Sequence, residues 1–169
     1  MSKRIAQFEK VSLAQFEKDW IDTFGNDGYY VITDIYNNIK LPKRATKGSA
    51  GYDFFSTCTF TLKPNEIIKI PTGVRCKINE GWVLKCYPRS SLGFKYCLNL
   101  VNQTAIVDED YYYANNEGHI FIKMKNNGDK EVSISFGDKF VQGVFVEYGI
   151  TIDDEEMKER KGGLGSTGA

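Results

Sequence analysis

Groups able to accept a proton or to bind oxyanions concentrate in five short stretches. In Asn102-Gln103-Thr104-Ala105-Ile106-Val107-Asp108-Glu109-Asp110-Tyr111, polar residues flank a short apolar strand that runs into three acids and an aromatic ring. A hairpin there would expose backbone donors and acceptors able to pair with the edge of a nucleobase, and Asp108 could take a proton from water. An acidic turn with Glu109 and Asp110 simply solvated fits the same residues. Pro88-Arg89-Ser90-Ser91-Leu92-Gly93 gathers a guanidinium, two hydroxyls and turn amides, a donor set that suits a polyphosphate and equally an ordinary polar turn.

In Ala50-Gly51-Tyr52-Asp53-Phe54, strand alternation sends Asp53 to the face opposite Tyr52 and Phe54. An inward carboxylate needs a cation or an arginine to offset its desolvation, whereas an outward one needs nothing. Gly137-Asp138-Lys139-Phe140-Val141-Gln142-Gly143-Val144 sets Gln142 between apolar neighbours, where its amide would hold a water, a ligand or a cross-strand partner. Arg160 precedes Gly162-Gly163-Leu164-Gly165-Ser166-Thr167-Gly168-Ala169. Glycines before hydroxyls resemble a flexible phosphate clamp that orders on its ligand, while composition alone makes the same tail a loose end.

These stretches must be held by a framework of strands. Segments rich in β-branched and aromatic residues at 52–61, 66–70, 73–78, 81–87, 118–125, 130–135 and 139–148 alternate with Gly, Pro and Asn. Such a pattern predicts an antiparallel sandwich, jelly roll or barrel. One helix is predicted over residues 12–24, capped by Ser12, with Leu13, Phe16, Trp20 and Phe24 at helical spacing and a Gly25-Asn26-Asp27-Gly28 turn at its end. The chain contains no internal repeat.

Length and composition bound the rest. A chain of 169 residues suits one domain with one core. Because 22 Lys and Arg balance 22 Asp and Glu, no net field draws it to nucleic acid or to an anionic membrane, so phosphate binding has to be local. The charged N-terminus and the lack of a spanning apolar run predict a cytoplasmic protein. Cys58, Cys76, Cys86 and Cys97 form no C-x-x-C pair and His119 is the single histidine, which favours four reduced thiols in or near the core over a zinc site.

Taken together and in order, the five stretches resemble the five motifs of the trimeric dUTPase family. AGYDF, PRSSLG, NQTAIVDEDYYY, GDKFVQG and GGLGSTG correspond to motifs one to five, from about residue 40 to the C-terminus, and the stretch 112–118 resembles the longer hairpin of some bacterial members. The resemblance implies an all-β, distorted jelly-roll or β-clip-like antiparallel barrel with one short N-terminal helix. Residues 1–36 would be a strand and helix extension packed on a core of 37–158, and 159–169 a flexible arm closing the active site. It also implies a homotrimer with sites shared between subunits, and a hydrolase converting dUTP to dUMP and pyrophosphate. That reaction limits uracil incorporation into DNA and supplies dUMP for dTTP synthesis.

Residue by residue, the resemblance makes Asp108 the general base and Gln142 its partner in holding the water and an α-phosphate oxygen. Arg89, Ser90 and Ser91 become phosphate binders, with Ser90 donating to the bridging oxygen. Asn102 and the backbone of Ile106, Val107 and Asp108 would read uracil, while Tyr111 would lie under the deoxyribose and exclude a 2′-hydroxyl. Arg160, Leu164, Gly165, Ser166 and Thr167 would close over the substrate. Mg²⁺ would be chelated mainly by the triphosphate and waters, with Asp53 reaching it indirectly through water. Leu164 replaces the family's phenylalanine, and Arg160 sits one residue nearer the glycines than usual. Two rivals share parts of the pattern. A dCTP deaminase would need a glutamate where Lys123 stands, and a non-catalytic binding protein would have no use for Asp108, Gln142 and Arg89 together.

Overall fold

The computed structural model describes residues 3–158, 160, 162 and 163. Its strands are β1 (Ala6–Lys10), β2 (Lys43–Arg44), β3 (Tyr52–Phe55), β4 (Phe60–Leu62), β5 (Ile67–Pro71), β6 (Val74–Ile78), β7 (Trp82–Pro88), β8 (Leu98–Leu100), β9 (Ala105–Val107), β10 (Phe121–Asn126), β11 (Val132–Ile134) and β12 (Lys139–Glu147). The helices are α1 (Leu13–Phe24), α2 (Tyr29–Asn37) and α3 (Ser90–Tyr96), with a 3-10 turn over Glu109–Tyr113. The fold is all-β and jelly-roll-like, as expected.

Strand pairing is antiparallel throughout the described residues. A five-stranded sheet runs β2-β3-β12-β7-β9 and a three-stranded one β5-β10-β8, completed by the ribbons β1-β6 and β4-β11. Alternation explains which faces turn inward. On β10, Ile122, Met124 and Asn126 are buried and Lys123 is exposed between them; on β4 and β11, Phe60, Leu62, Val132 and Ile134 are buried. The outward Thr61 and Ser133 hydroxyls between those pairs bond at 2.8 Å. Phe54, Leu84, Cys86, Phe140 and Val141 form the inner face of the large sheet. Truncating the fully buried Phe140 to alanine would cost about 3–5 kcal/mol.

Helix α1 forms as its spacing requires. Ser12 Oγ accepts from the Gln15 amide at 3.1 Å, Gly25 ends the helix with its amide on the Ile21 carbonyl, and Phe16 and Trp20 are buried. The extension is packed on the core, β1 pairing with β6.

Two helices are additional to the one expected. α2 lies in a run, Tyr29-Tyr30-Val31-Ile32-Thr33, whose residue types favour strands; it packs beside α1 with Ile32 fully buried, and tertiary contact overrides propensity. α3 begins at the first serine of PRSSLG, so that stretch opens a helix instead of a turn. The stretch expected over 52–61 divides into β3 and β4. Nor do β8 and β9 form a hairpin with each other, since β8 pairs with β10 and β9 with β7. The stretch after Tyr111 is a 3-10 turn followed by a loop, not a longer hairpin. Of the four free cysteines, Cys76 and Cys86 are buried and Cys58 is half-buried, but Cys97 is exposed. It caps α3 in the left-handed conformation, φ 51°, which sets it outside the core.

Candidate functional site

The large sheet brings three of the five stretches together. In register, Asp53 on β3 faces Gln142 on β12, which faces Tyr87 on β7. Asp53 is 7% exposed and holds two cations: Lys139 Nζ is 2.8 Å from Oδ2 and Arg89 Nε 3.5 Å from Oδ1. The inward alternative for Asp53 is the one realised, with an arginine and a lysine offsetting its desolvation. Arg89 is tied by its amide to the Phe140 carbonyl at 3.2 Å. Directly after it, the amides of Ser90 and Ser91 occupy the first turn of α3, where a helix offers no intrahelical acceptor. Gly51, Asp53, Arg89, Ser90, Ser91 and Gln142 line a cavity of about 440 Å³. Its donors are matched to anionic oxygen, and its only carboxylate among these residues is already neutralised.

Gly51 is a functional position that residue chemistry alone overlooks. A Cβ built there would stand 2.7 Å from Gln142 Oε1, so only glycine leaves the amide its place. The signal was its position, directly before the buried Asp53 strand.

A second cavity, of about 390 Å³, is lined by Asn102, Ile106, Val107, Asp108, Tyr111 and Arg160 among others. β9 is the edge strand of its sheet, so the backbone edge away from β7 is open to a ligand. Backbone readout is thereby available without the hairpin first expected. Asp108 follows β9 in extended conformation and precedes the 3-10 turn. Its side chain is 49% exposed, whereas Tyr111 is buried. The Tyr111 hydroxyl donates to the His119 carbonyl at 2.7 Å and accepts from Asn116 Nδ2 at 2.9 Å. Burial pushes the Tyr111 phenol up, the Asn116 bond opposing it.

Arg160 enters this cavity. Nη2 is 2.7 Å from Asp108 Oδ2, Nε is 2.8 Å from Asp110 Oδ1, and the guanidinium lies 5.6 Å from the centre of the Tyr111 ring. Asp110 is therefore paired, not merely solvated. Lys69 and Lys123, directly opposite each other on β5 and β10, also line this cavity and were not anticipated as site residues. Leu164, Gly165, Ser166 and Thr167 lie outside the described residues.

Every other expected site residue falls in one of these two cavities, and none of them lines both. Among the described residues no group of three or more His, Cys, Asp or Glu could hold a metal ion. No helix of the described residues is long and apolar enough to cross a membrane.

Known proteins similar to this chain share one family. The dUTPase family model matches residues 37–168. A deoxyuridine 5′-triphosphate nucleotidohydrolase of Lactococcus lactis is 45% identical over 146 residues, covering 84% of this chain and 97% of that protein. The crystal structure of dUTPase from Streptococcus mutans superposes with a TM-score of 0.60 at 42% identity, over 68% of this chain and 89% of that one. A mutant dUTPase from phage phi11 of S. aureus, which coordinates a structural Mg(II) ion, shares the fold with a TM-score of 0.62 at 24% identity, over 93% and 97% of the two chains.

Proposed function

The chain belongs to the dUTPase family and hydrolyses dUTP to dUMP as a dUTP diphosphatase; from that premise we propose how its residues share the reaction. Asp108 is the general base. It takes a proton from the water that attacks the α-phosphorus, and the α–β bridging bond breaks to release pyrophosphate. Gln142 holds that water and an α-phosphate oxygen. Arg89 and Ser91 bind the phosphates, and Ser90 donates to the bridging oxygen as it gains charge. Asn102 and the backbone of Ile106, Val107 and Asp108 read uracil, and Tyr111 lies under the deoxyribose. Arg160 leaves Asp108 for the γ-phosphate when substrate arrives, and Leu164, Gly165, Ser166 and Thr167 complete the cover.

The observation that carries this reading is the division of the site. Base and sugar platform line one cavity of the chain, whereas the phosphate donors line the other. This supports a homotrimer in which Asp108 of one subunit works on phosphates held by Arg89, Ser90 and Ser91 of another. Mg²⁺ would be held mainly by the triphosphate and would neutralise its charge; both oxygens of Asp53 are committed to Lys139 and Arg89, so Asp53 would reach the ion only indirectly, through water. The balanced charge and free thiols suit a cytoplasmic nucleotide enzyme.

Mixing inactive Asp108→Asn and Arg89→Ala chains, after dissociation and reassembly, tests the shared site. Recovery of pyrophosphate release from dUTP, with a trimer mass by light scattering, is expected. Absence of recovery in a mixed trimer would place each site within one chain. The same assay over dUTP, dTTP, dCTP and UTP defines the specificity.

A further inference from the structure

Residues 3–36 lie outside the span of the family model, yet three of their side chains grip the loop that follows Tyr111. Asp19 Oδ2 on α1 is 2.6 Å from His119 Nδ1. His119 is 0% exposed, and its Nε2 accepts the Gly73 amide at 2.8 Å, so the proton sits on Nδ1 and is donated to Asp19. The carbonyl of the same His119 accepts the Tyr111 hydroxyl, and Asn116 Nδ2 donates to that hydroxyl from the opposite side. Ser12 grips Glu117 twice, through its amide and its hydroxyl, each at 2.7 Å. Glu9 on β1 accepts the Tyr112 hydroxyl at 2.8 Å and pairs with Arg75 at 3.0 Å, whose guanidinium covers the Tyr112 ring.

A loop held only for stability would need its backbone satisfied, and one or two such bonds suffice for that. Here the His119 carbonyl and Asn116 Nδ2 both meet the Tyr111 hydroxyl, while Ser12 and Glu9 hold Glu117 and Tyr112 of the same loop. A steric wall rejects an extra hydroxyl only while it cannot retreat, since a displacement of about 1 Å is enough to alter positioning in a site. We propose that Asp19, His119 and Asn116 are positioning residues for Tyr111, so that the N-terminal extension sets how strictly the enzyme rejects ribonucleoside triphosphates. This rests on the reading of Tyr111 as the surface beneath the sugar. The buried imidazole carries the connection from helix α1 to the ring, while Asn116 fixes the ring from the loop itself.

The test is the ratio of kcat/KM for dUTP to that for UTP, measured for the full-length enzyme and for Tyr111→Ala, Asp19→Ala, Asp19→Asn, Asn116→Ala and Val132→Ala. Tyr111→Ala should collapse the ratio. Asp19→Ala and Asn116→Ala should lower it by about tenfold, the loss of one hydrogen bond at the wall, mainly through gained UTP hydrolysis. Asp19→Asn keeps an acceptor for His119 and should keep the ratio. Val132→Ala, in the distant β4-β11 ribbon, should lower Tm and leave the ratio alone. If Tyr111→Ala collapses the ratio but Asp19→Ala and Asn116→Ala do not change it, the extension is only structural. If Tyr111→Ala leaves it unchanged, the sugar reading fails and the inference fails with it. Should Asp19→Ala not fold, the exposed Ser12→Ala, which removes a hydroxyl bond from the extension to Glu117, takes its place, and an unchanged ratio there overturns the role of the extension.

Discussion

Arg160 Nη2 stands 2.7 Å from Asp108 Oδ2, so the carboxylate assigned as general base carries a guanidinium 52 residues further along the chain. The same guanidinium reaches Asp110 at 2.8 Å and faces the Tyr111 ring. A base paired in this way cannot accept a proton from water in the same direction. The pair has to open, and a triphosphate, with more negative charge than two carboxylates, is the stronger partner for arginine.

Asp108→Asn keeps an oxygen for Arg160 and so keeps the local geometry, while the amide cannot take a proton. Turnover should fall by about 10²–10⁴-fold with dUTP affinity within a few-fold of wild type. Single-turnover kinetics and calorimetric titration with a non-hydrolysable dUTP analogue measure the two quantities. Turnover within about tenfold of wild type would remove Asp108 from that role.

Gly51→Ala is expected to act on catalysis with little effect on the fold. The new methyl would meet Gln142 Oε1 at 2.7 Å, and because that atom ends a flexible side chain it moves aside instead of breaking the sheet. A fall in kcat with Tm within about 2 °C is the expected outcome, the size of a perturbation below ~0.5 kcal/mol in a chain of this length. A large loss of Tm with normal kcat would mean that β3 and β12 absorb the strain.

The thiols should separate sharply in reactivity. Burial pushes Cys86 up to about 12 and Cys58 up to about 11, and raises Cys76 further, its neighbours Cys86 and Glu9 adding to the effect. Cys97 is exposed. Since the thiolate is the reacting species, an aromatic disulfide reagent at pH 8 should titrate one thiol quickly in the native protein and the others only on unfolding. Fast reaction of two or more thiols, or a fast phase that persists in Cys97→Ser, contradicts this.

Residues acting over short spans were legible in the sequence. Ser12, Phe16 and Trp20 announced α1 by a cap and a period, whereas strand alternation left Asp53 either inward with a cationic partner or outward without one, and the structure decides for the first. α2 was not legible, because its aromatic and β-branched residues speak for a strand and only packing beside α1 makes it a helix. Contacts such as Glu9 to Tyr112, or Arg160 to Asp108, join residues far apart in the chain and leave no mark in spacing. Motif order nominated the site residues, but their division between two cavities follows from strand pairing. β9 joins the sheet beside β7, whereas β8, separated from it by four residues, joins another sheet.

The bonds between the extension and the loop should also make the protein acid-sensitive. Burial acts to raise the Asp19 carboxyl, but the hydrogen bonds from His119 and Gln15 outweigh it and the net direction is down. For Glu117 burial again acts upward, and the two bonds from Ser12, with the Arg75 charge, bring it down. A carboxyl whose folded value is depressed stabilises the fold fully above its unfolded value, near pH 4, and that stability is lost as pH falls through the lower folded value. Through these two groups Tm should therefore drop as pH falls below about 5, with Trp20 fluorescence reporting loosening of α1. In the double variant Asp19→Asn, Glu117→Gln the two depressed groups are gone, so Tm at pH 7 should be lower and the drop below about pH 4 shallower. Other carboxylates contribute to acid unfolding in both proteins, and comparison of the two curves removes their share. If the variant's curve runs parallel to that of wild type through this range, protonation of Asp19 and Glu117 is not what releases the extension.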